Sequence, residues 1–297
     1  MTGAERGFLL LSSCLGDPER KPLTTAQLRR LSQYAGQMER PAEDRELCLE
    51  DLMAIGCGNV LGQRILELLA QTDALEYYMK KARKADCHPL TRISAGYPKV
   101  LREKLADECP GVLWAKGDLS ILNGPKIAIV GSRDIGPANK AFAEEAGRQA
   151  ALQGYTLISG NARGSDRTAQ ESCLRHGGRV ISILADELAR IPARDGVLYL
   201  SEDDFDAPFS AQRALSRNRV IHALADKVLV AQCSLEHGGT WDGSVKNLKH
   251  GWSSVFCFRD GSEACSRLVS MGAQPITVDA LNSLDGLTKK QISFFDR

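Results

Sequence analysis

The chain has 297 residues, 43% hydrophobic and only 6% aromatic, which is enough to bury one full core or two and describes an ordinary globular protein. Lys and Arg total 38 against 37 Asp and Glu, a formal net charge of +1, and residues 1–124 alone hold 17 of each sign. That balance excludes a histone-like protein or a basic tail that binds phosphate by bulk charge, so any contact with nucleic acid must be local.

Nine cysteines, an odd number with no Cys-x-x-Cys pair, suit a reducing compartment and buried thiols, and argue against a disulfide scaffold or a zinc ribbon. The five histidines include no pair at i, i+4, so a His-Glu-x-x-His metalloprotease site is excluded and no metal is expected.

Near the N-terminus, Leu11-Ser12-Ser13-Cys14 has the residue types of a bacterial lipoprotein box. The apolar run before it, Phe8-Leu9-Leu10-Leu11, falls short of the roughly 7–15 residues of a signal peptide, and a helix is expected there instead. No apolar run approaches the roughly 18 residues of a membrane span, so a soluble, cytoplasmic protein without membrane contact is expected. Over residues 5–108 apolar side chains recur at helical intervals, as in Leu47, Leu49, Leu52, Met53 and Ile65, Leu66, Leu68, Leu69, and strand-like runs are missing. The stretch from Leu52 through Asn59 to Leu66 outlines a helix-hairpin-helix unit whose amides suit a phosphate, although a plain glycine turn between two helices explains the same residues. Pro98, Pro110, Gly111 and Gly117 then lead to Asn123-Gly124-Pro125, a strong turn signal expected to act as a hinge. It sets the expected division: a helical N-terminal domain over 1–120 and a second domain over 121–297.

Downstream the period changes. Short continuous apolar runs at 126–130, 155–158, 180–184, 228–230 and 255–258 alternate with amphipathic stretches at 139–153, 166–176, 217–225 and 243–250. Buried parallel strands with crossover helices account for this alternation, so the fold class is α/β, a helical N-terminal domain followed by a Rossmann-like, doubly wound, mostly parallel sheet.

In such a sheet ligands bind at the carboxyl ends of the strands. After the first run comes Gly131-Ser132-Arg133-Asp134-Ile135-Gly136, a turn into a helix whose first amides suit a phosphate. Pro137-Ala138 stands where a Walker A loop has Lys-Ser/Thr, and Gly-x-Gly-x-x-Gly is missing, so no cofactor is expected. After the second run comes Ser159-Gly160-Asn161-Ala162-Arg163-Gly164-Ser165-Asp166, with Arg163 in the loop and Asp166 at the helix start. Arg213, Arg217 and Arg219 crowd around Asn218 at another helix start, against the macrodipole, a placement that a polyanionic ligand explains. A last turn, from Glu236 through Gly238-Gly239 to Gly243, adds free amides and one aromatic side chain, Trp241, expected to be exposed.

Taken in order, these residues resemble the DNA-processing protein A family, DprA or Smf. The likeness starts near Leu52 and passes through Tyr97-Pro98, Leu101, Cys109-Pro110-Gly111-Val112-Leu113-Trp114 and Lys116-Gly117. It continues with Ile127-Ala128-Ile129-Val130-Gly131-Ser132-Arg133, the segment 159–166, Ser201-Glu202, Arg217-Asn218-Arg219-Val220-Ile221 and Gly238-Gly239, and closes near Gly272-Ala273. The resemblance implies a binder rather than an enzyme: a protein that holds single-stranded DNA in a positive pocket, protects it and presents it to a RecA-type recombinase during DNA uptake by natural transformation and recombination. A homodimer is implied as well. By motif position, Gly131, Ser132, Arg133, Ser159, Gly160, Arg163, Gly164, Arg217, Asn218 and Arg219 would line the pocket, where guanidiniums pair with phosphates and Asn reaches a base edge.

Three features depart from the family pattern. Gln170 stands where the family usually has His, and the segment around Ile191-Pro192-Ala193-Arg194 is short, both of which bear on dimer and recombinase contacts. The stretch after Ala273 is too short for the winged helix that many members carry, so a minimal member is expected. A phosphoribohydrolase of the same superfamily would need Pro-Gly-Gly-x-Gly-Thr-x-x-Glu, but Gly243 falls where that glutamate would act. A nucleotide-binding sensor without catalysis stays open, as does an adaptor that keeps only the fold.

Overall fold

The chain enters its first helix, α1 (Gly3–Ser12), through a capping box: Thr2 Oγ1 accepts from the Glu5 amide, and the Glu5 carboxylate accepts from the Thr2 amide. In the computed structural model, which describes residues 1–35 and 47–288, four more helices follow: α2 (Thr25–Ala35), α3 (Leu49–Ala54), α4 (Asn59–Leu69) and α5 (Thr72–Lys84). Leu11, Leu23, Leu28, Leu52, Ile65 and Leu68 build a small apolar core among them. Leu9 and Leu10 of α1 and Leu75 and Tyr78 of α5 instead join a larger core against the sheet.

The described strands form one nine-stranded sheet. In chain order they are β1 (His88–Thr91), β2 (Val112–Lys116), β3 (Lys126–Gly131), β4 (Thr156–Ser159), β5 (Arg179–Leu184), β6 (Val197–Ser201), β7 (Lys227–Gln232), β8 (Ser254–Phe258) and β9 (Gln274–Ile276). In space the order is β1-β2-β6-β5-β4-β3-β7-β8-β9, parallel throughout except that β2 runs antiparallel to both β1 and β6. The two edge strands are the shortest or nearly so, and each carries a proline at its second position, Pro89 and Pro275.

Successive residues of the central strands face opposite layers, as the pleat requires. Ile127 and Ile129 of β3 join the layer that holds Phe142 and Trp114, whereas Ala128 and Val130 join the layer that holds Ile221 and Trp252. The first layer is covered by α7 (Pro137–Leu152) and α8 (Ser165–Arg175). The second is covered by α6 (Lys99–Leu105), α10 (Asn218–Leu224), α11 (Gly238–His250) and α12 (Glu263–Ser270), while α9 (Ala211–Ser216) leads directly into α10. Helices on both faces of a mostly parallel sheet are the doubly wound α/β arrangement.

Two expectations are corrected here. Residues 5–108 do contain a strand, β1, and residues 1–120 are not wholly helical, because β2 pairs with β6 through Trp114–Ser201, Ala115–Leu200 and Lys116–Tyr199. The sheet therefore crosses the division expected at 120/121. The strand β1 is too short to show a period, and β2 lies in a stretch whose prolines and glycines signal turns. Similarly, β6 is buried along its whole length although it follows the short segment around Pro192.

The position of β3 matters most. Its chain continues to β4 on one side, while β7 pairs on the other, so the carboxyl ends of β3 and β7 flank the point where the winding reverses.

Candidate nucleic-acid interface

Three loops leave the strands at this switch point and lie almost against one another. The ladder between β3 and β7 shifts register at Val130/Gly131, and the Ser132 amide donates to Gln232 O at 2.9 Å. Gly131 meets the start of α8 so closely that a Cβ would sit 2.1 Å from Ser165 Oγ. Gly164, at φ +86°, is required on two counts: the backbone is left-handed, and a Cβ would meet Ser132 O and Arg133 O at 2.4 Å. On the far side Gln232 Oε1 accepts from the Gly136 amide at 3.0 Å, which fixes the entry to α7.

Under the second loop lies a buried polar centre. Asp166 Oδ2 accepts from the amides of Gly160 at 2.8 Å and Ala162 at 3.3 Å. Burial pushes its carboxyl up to about 6, against the opposing pull of the Arg217 charge and those two amides. Arg217, at the junction of α9 and α10, is only 7% exposed. Its Nη1 donates to Gly160 O at 2.7 Å and to Ile183 O, and its Nε donates to Asn218 Oδ1 at 3.3 Å. Desolvation lowers the Arg217 pKa, with Asp166 acting in the opposite sense. A Cβ on Gly160 would come within 2.5 Å of this guanidinium, so glycine is what lets Arg217 in.

Above this centre opens a cleft of about 600 Å³, between the 131–136 loop, α9–α10 and the start of α11. Gly131, Ser132, Arg133 and Asn218 line it, together with the inner face of Arg217. Its wall is partly apolar, from Val130, Leu215 and Ile221. Asn218 Nδ2 donates to Gly239 O at 3.0 Å and so ties α10 to the first turn of α11. Beside the cleft a shallower ledge carries Arg133, Lys140, Arg163 and Gly164. Arg163 pairs with Asp134 at 2.6 Å, yet its side chain is 72% exposed and the pair is a surface one of small worth.

Not every residue assigned by motif faces the cleft. Ser159 is fully buried and accepts from Gln170 Nε2 at 2.5 Å, and Gly160 lies behind Arg217. Arg219 points away from the cleft, into the neighbouring depression: it grips Glu202 with both Nη atoms at 2.9 and 2.7 Å, and its Nε donates to Glu108 O at 3.0 Å. The cations crowded at the start of α10 are thus balanced inside the protein, by carbonyls for Arg217 and by a carboxylate for Arg219. Trp241, expected to be exposed, is 6% exposed and belongs to the apolar layer, because α11 begins at Gly238 and turns position 241 inward.

Two contributors escape a motif reading. Lys140, in the first turn of α7, joins the ledge. His222 reaches the cleft from one turn beyond Asn218 on α10, and the i, i+4 spacing is the signal that would have placed it.

Among the described residues no group of His, Cys, Asp or Glu is placed to hold a metal ion, and no helix is long and apolar enough to cross a membrane. Seven of the nine cysteines are buried.

The chain is similar to several known proteins. Protein Smf of Escherichia coli is 33% identical over 144 residues, which are 43% of this chain and 37% of that one, so the match covers little more than a third of this relative. DNA processing protein DprA of Streptococcus pneumoniae is 27% identical over 275 residues, spanning 86% of this chain and 91% of the other. Its crystal structure superposes with a TM-score of 0.70 over 93% of this chain and 95% of its own, at 26% identity. DNA processing protein A from Helicobacter pylori, whose structure is described for a unique single-stranded DNA binding mode, gives a TM-score of 0.56 at 25% identity over 67% of this chain and 96% of its own. The profile of the DNA recombination-mediator protein A family matches residues 88–284, a stretch that takes in all nine strands and the whole cleft, and the chain belongs to that family.

Proposed function

We propose that the chain binds single-stranded DNA in the cleft at the switch point, protects it, and presents it to a RecA-type recombinase in the cytoplasm during DNA uptake and recombination. The observation that carries this reading is the combination of backbone-amide loops, an exposed Arg133 and an apolar wall in one cleft, within a family whose Helicobacter pylori member is described for binding single strands. Phosphates would lie along Arg133 and the ledge of Lys140 and Arg163, with the amides of the 131–136 loop at the mouth. Gly131, Ser132, Arg133, Asn218, Arg163 and Gly164 would touch the strand. Ser159, Gly160 and Arg217 would shape the floor from behind, and Arg219 would anchor α10.

The role is that of a binder without turnover. Gly243 occupies the place where a hydrolase of this superfamily would need its glutamate, and Pro137-Ala138 replaces the phosphate-gripping Lys-Ser/Thr of a nucleotide triphosphatase. A homodimer accompanies this reading as an expectation from the family.

Fluorescence anisotropy of labelled single-stranded and duplex oligonucleotides, run beside a panel of small nucleotides, tests it. Single strands should bind more tightly than duplex, because a cleft of about 600 Å³ admits splayed bases but not a rigid duplex. One observation favours a second reading: about 600 Å³ is also the size of a small-molecule site. If oligonucleotides show no salt-dependent binding and one nucleotide raises the melting temperature, the protein is a nucleotide sensor.

A further inference from the structure

The floor of the cleft contains a hydrogen-bond donor whose direction is fixed by a chain of partners behind it. His222 is 1% exposed and lies one helical turn beyond Asn218 on α10, beside Ile221. Its ring is held from the rear by Asn247 of α11, whose Nδ2 stands 3.1 Å from His222 Nδ1.

The orientation of that amide follows from its other contacts. The Ser253 amide, which can only donate, is 2.9 Å from Asn247 Oδ1, so the opposite end of the side chain is the NH2 group. Asn247 Nδ2 donates to Ser253 Oγ at 3.0 Å, and the Ser253 hydroxyl passes its own proton to His222 O at 2.9 Å. Nδ1 of His222 must therefore accept, and the ring proton resides on Nε2. Burial pushes the imidazole down to about 4, so at neutral pH the ring is uncharged and has a single N–H to offer.

Nε2 has no hydrogen-bond partner among the described residues. What faces it is Gly243, where a Cβ would stand only 2.9 Å away. Glycine at this place, where a hydrolase would need its glutamate, sets no side chain against the tip of the imidazole to accept its proton. A donor with no protein partner is left to serve a ligand, and His222 is part of a cleft whose adjoining wall, Val130, Leu215 and Ile221, suits the flat face of a nucleobase.

We propose that His222 reads a base: its Nε2–H donates to a carbonyl oxygen or ring nitrogen on the edge of a nucleobase inserted into the cleft, while Arg133 and the loop amides hold the phosphate at the mouth. The inference rests on the single-strand reading and assigns a base-contacting residue within it. The donor discriminates base from no base, whereas the loops and cations recognise only the backbone.

The test uses the full chain and two labelled strands of equal length, oligo(dT) and an abasic phosphate backbone. The wild type should prefer oligo(dT). His222→Leu should cut that preference about five- to ten-fold, the loss expected for one buried hydrogen bond, with little change toward the abasic strand. His222→Gln, which places an amide NH2 near the position of Nε2, should restore most of it. Equal weakening toward both strands, or no change toward either, would overturn the assignment and leave His222 a packing residue. If the wild type binds neither strand, the single-strand reading itself fails and takes this inference with it. Because the Leu variant removes the partner of Asn247, a measurement on the wild type stands beside it: with ¹⁵N-labelled histidine, the His222 Nε2–H resonance should be present and should move on adding oligo(dT) but not the abasic strand. An Nδ1–H tautomer, or a resonance that does not respond, would equally reject the proposal.

Discussion

Replacing Arg217 by Met separates a residue that builds the cleft from one that merely lines it. The guanidinium donates to two buried carbonyls, Gly160 O and Ile183 O, and supplies the positive charge next to the buried Asp166 carboxyl. Met fills much of the same volume but leaves both acceptors without their charged donor, at about 1–3 kcal/mol each, and deprives Asp166 of its counter-charge. Part of this is offset, because a buried guanidinium itself carries a desolvation penalty, visible in its lowered pKa. A net loss of about 3 kcal/mol remains, equivalent to a fall of about 6–12 °C in the melting temperature of a domain this size. Arg217→Lys should recover roughly half, since an ammonium keeps the charge without the planar fork. Differential scanning fluorimetry and urea unfolding give the two numbers. A Met variant that melts with the wild type yet loses DNA affinity would show that Arg217 acts on the ligand, and that its buried bonds hold nothing together.

The other expectations concern the same cleft and its frame. Asp166, raised from its ordinary 3.8 to about 6, takes up a proton in the folded protein before the unfolded chain does, so its ionised form costs about 3 kcal/mol above pH 6 and stability is regained as the pH falls toward 4. The unfolding free energy of the wild type minus that of Asp166→Asn should therefore rise by about that amount from pH 7 to pH 4, and a constant difference would refute the buried ionisation. With Arg133, Lys140 and Arg163 as the exposed cations, log K for single strands against log salt should slope at about −2, and Arg163→Ala should flatten it by about 0.7 without moving the melting temperature; an unchanged slope would remove Arg163 from the interface. Because β2 pairs with β6, proteolytic nicking at residues 117–125 should leave the two pieces associated on gel filtration. An independently folded fragment beginning at 121–126 would restore a hinge between two separate domains.

The elements that sequence reasoning finds are those whose local pattern is decided by burial on both faces. The strands β3, β4, β5, β7 and β8 are continuous apolar runs between turn signals, and α7 and α8 are placed within two residues of their observed starts. What escapes is set by distant partners. Trp114 sits in a strand because Ser201 lies opposite, and nothing near Val112 in the chain announces that. The glycines at 238 and 239 read as a turn but begin α11, since the Asn218 amide holds Gly239 O from another helix. For the site, topology alone brings the 131–136 and 159–165 loops together. Side-chain direction is the missing quantity: Arg217 and Arg219 are two residues apart, yet one turns inward to carbonyls and the other outward to Glu202, and no local pattern separates them. His222 becomes recognisable only once Asn218 is known to face the cleft.

The two ends of the sheet decide how copies of this protein can meet. A β-edge is a standing invitation to another strand, and soluble proteins blunt it with short strands and with proline, which has no N–H to offer. Here both defences coincide at both ends, with Pro89 in a four-residue strand and Pro275 in a three-residue one. The buried apolar strands between them are fenced from intermolecular pairing on either side. Self-association is thereby steered away from strand addition and toward helix and loop surfaces, and lengthening or removing either proline-bearing strand would open the sheet to its own copies.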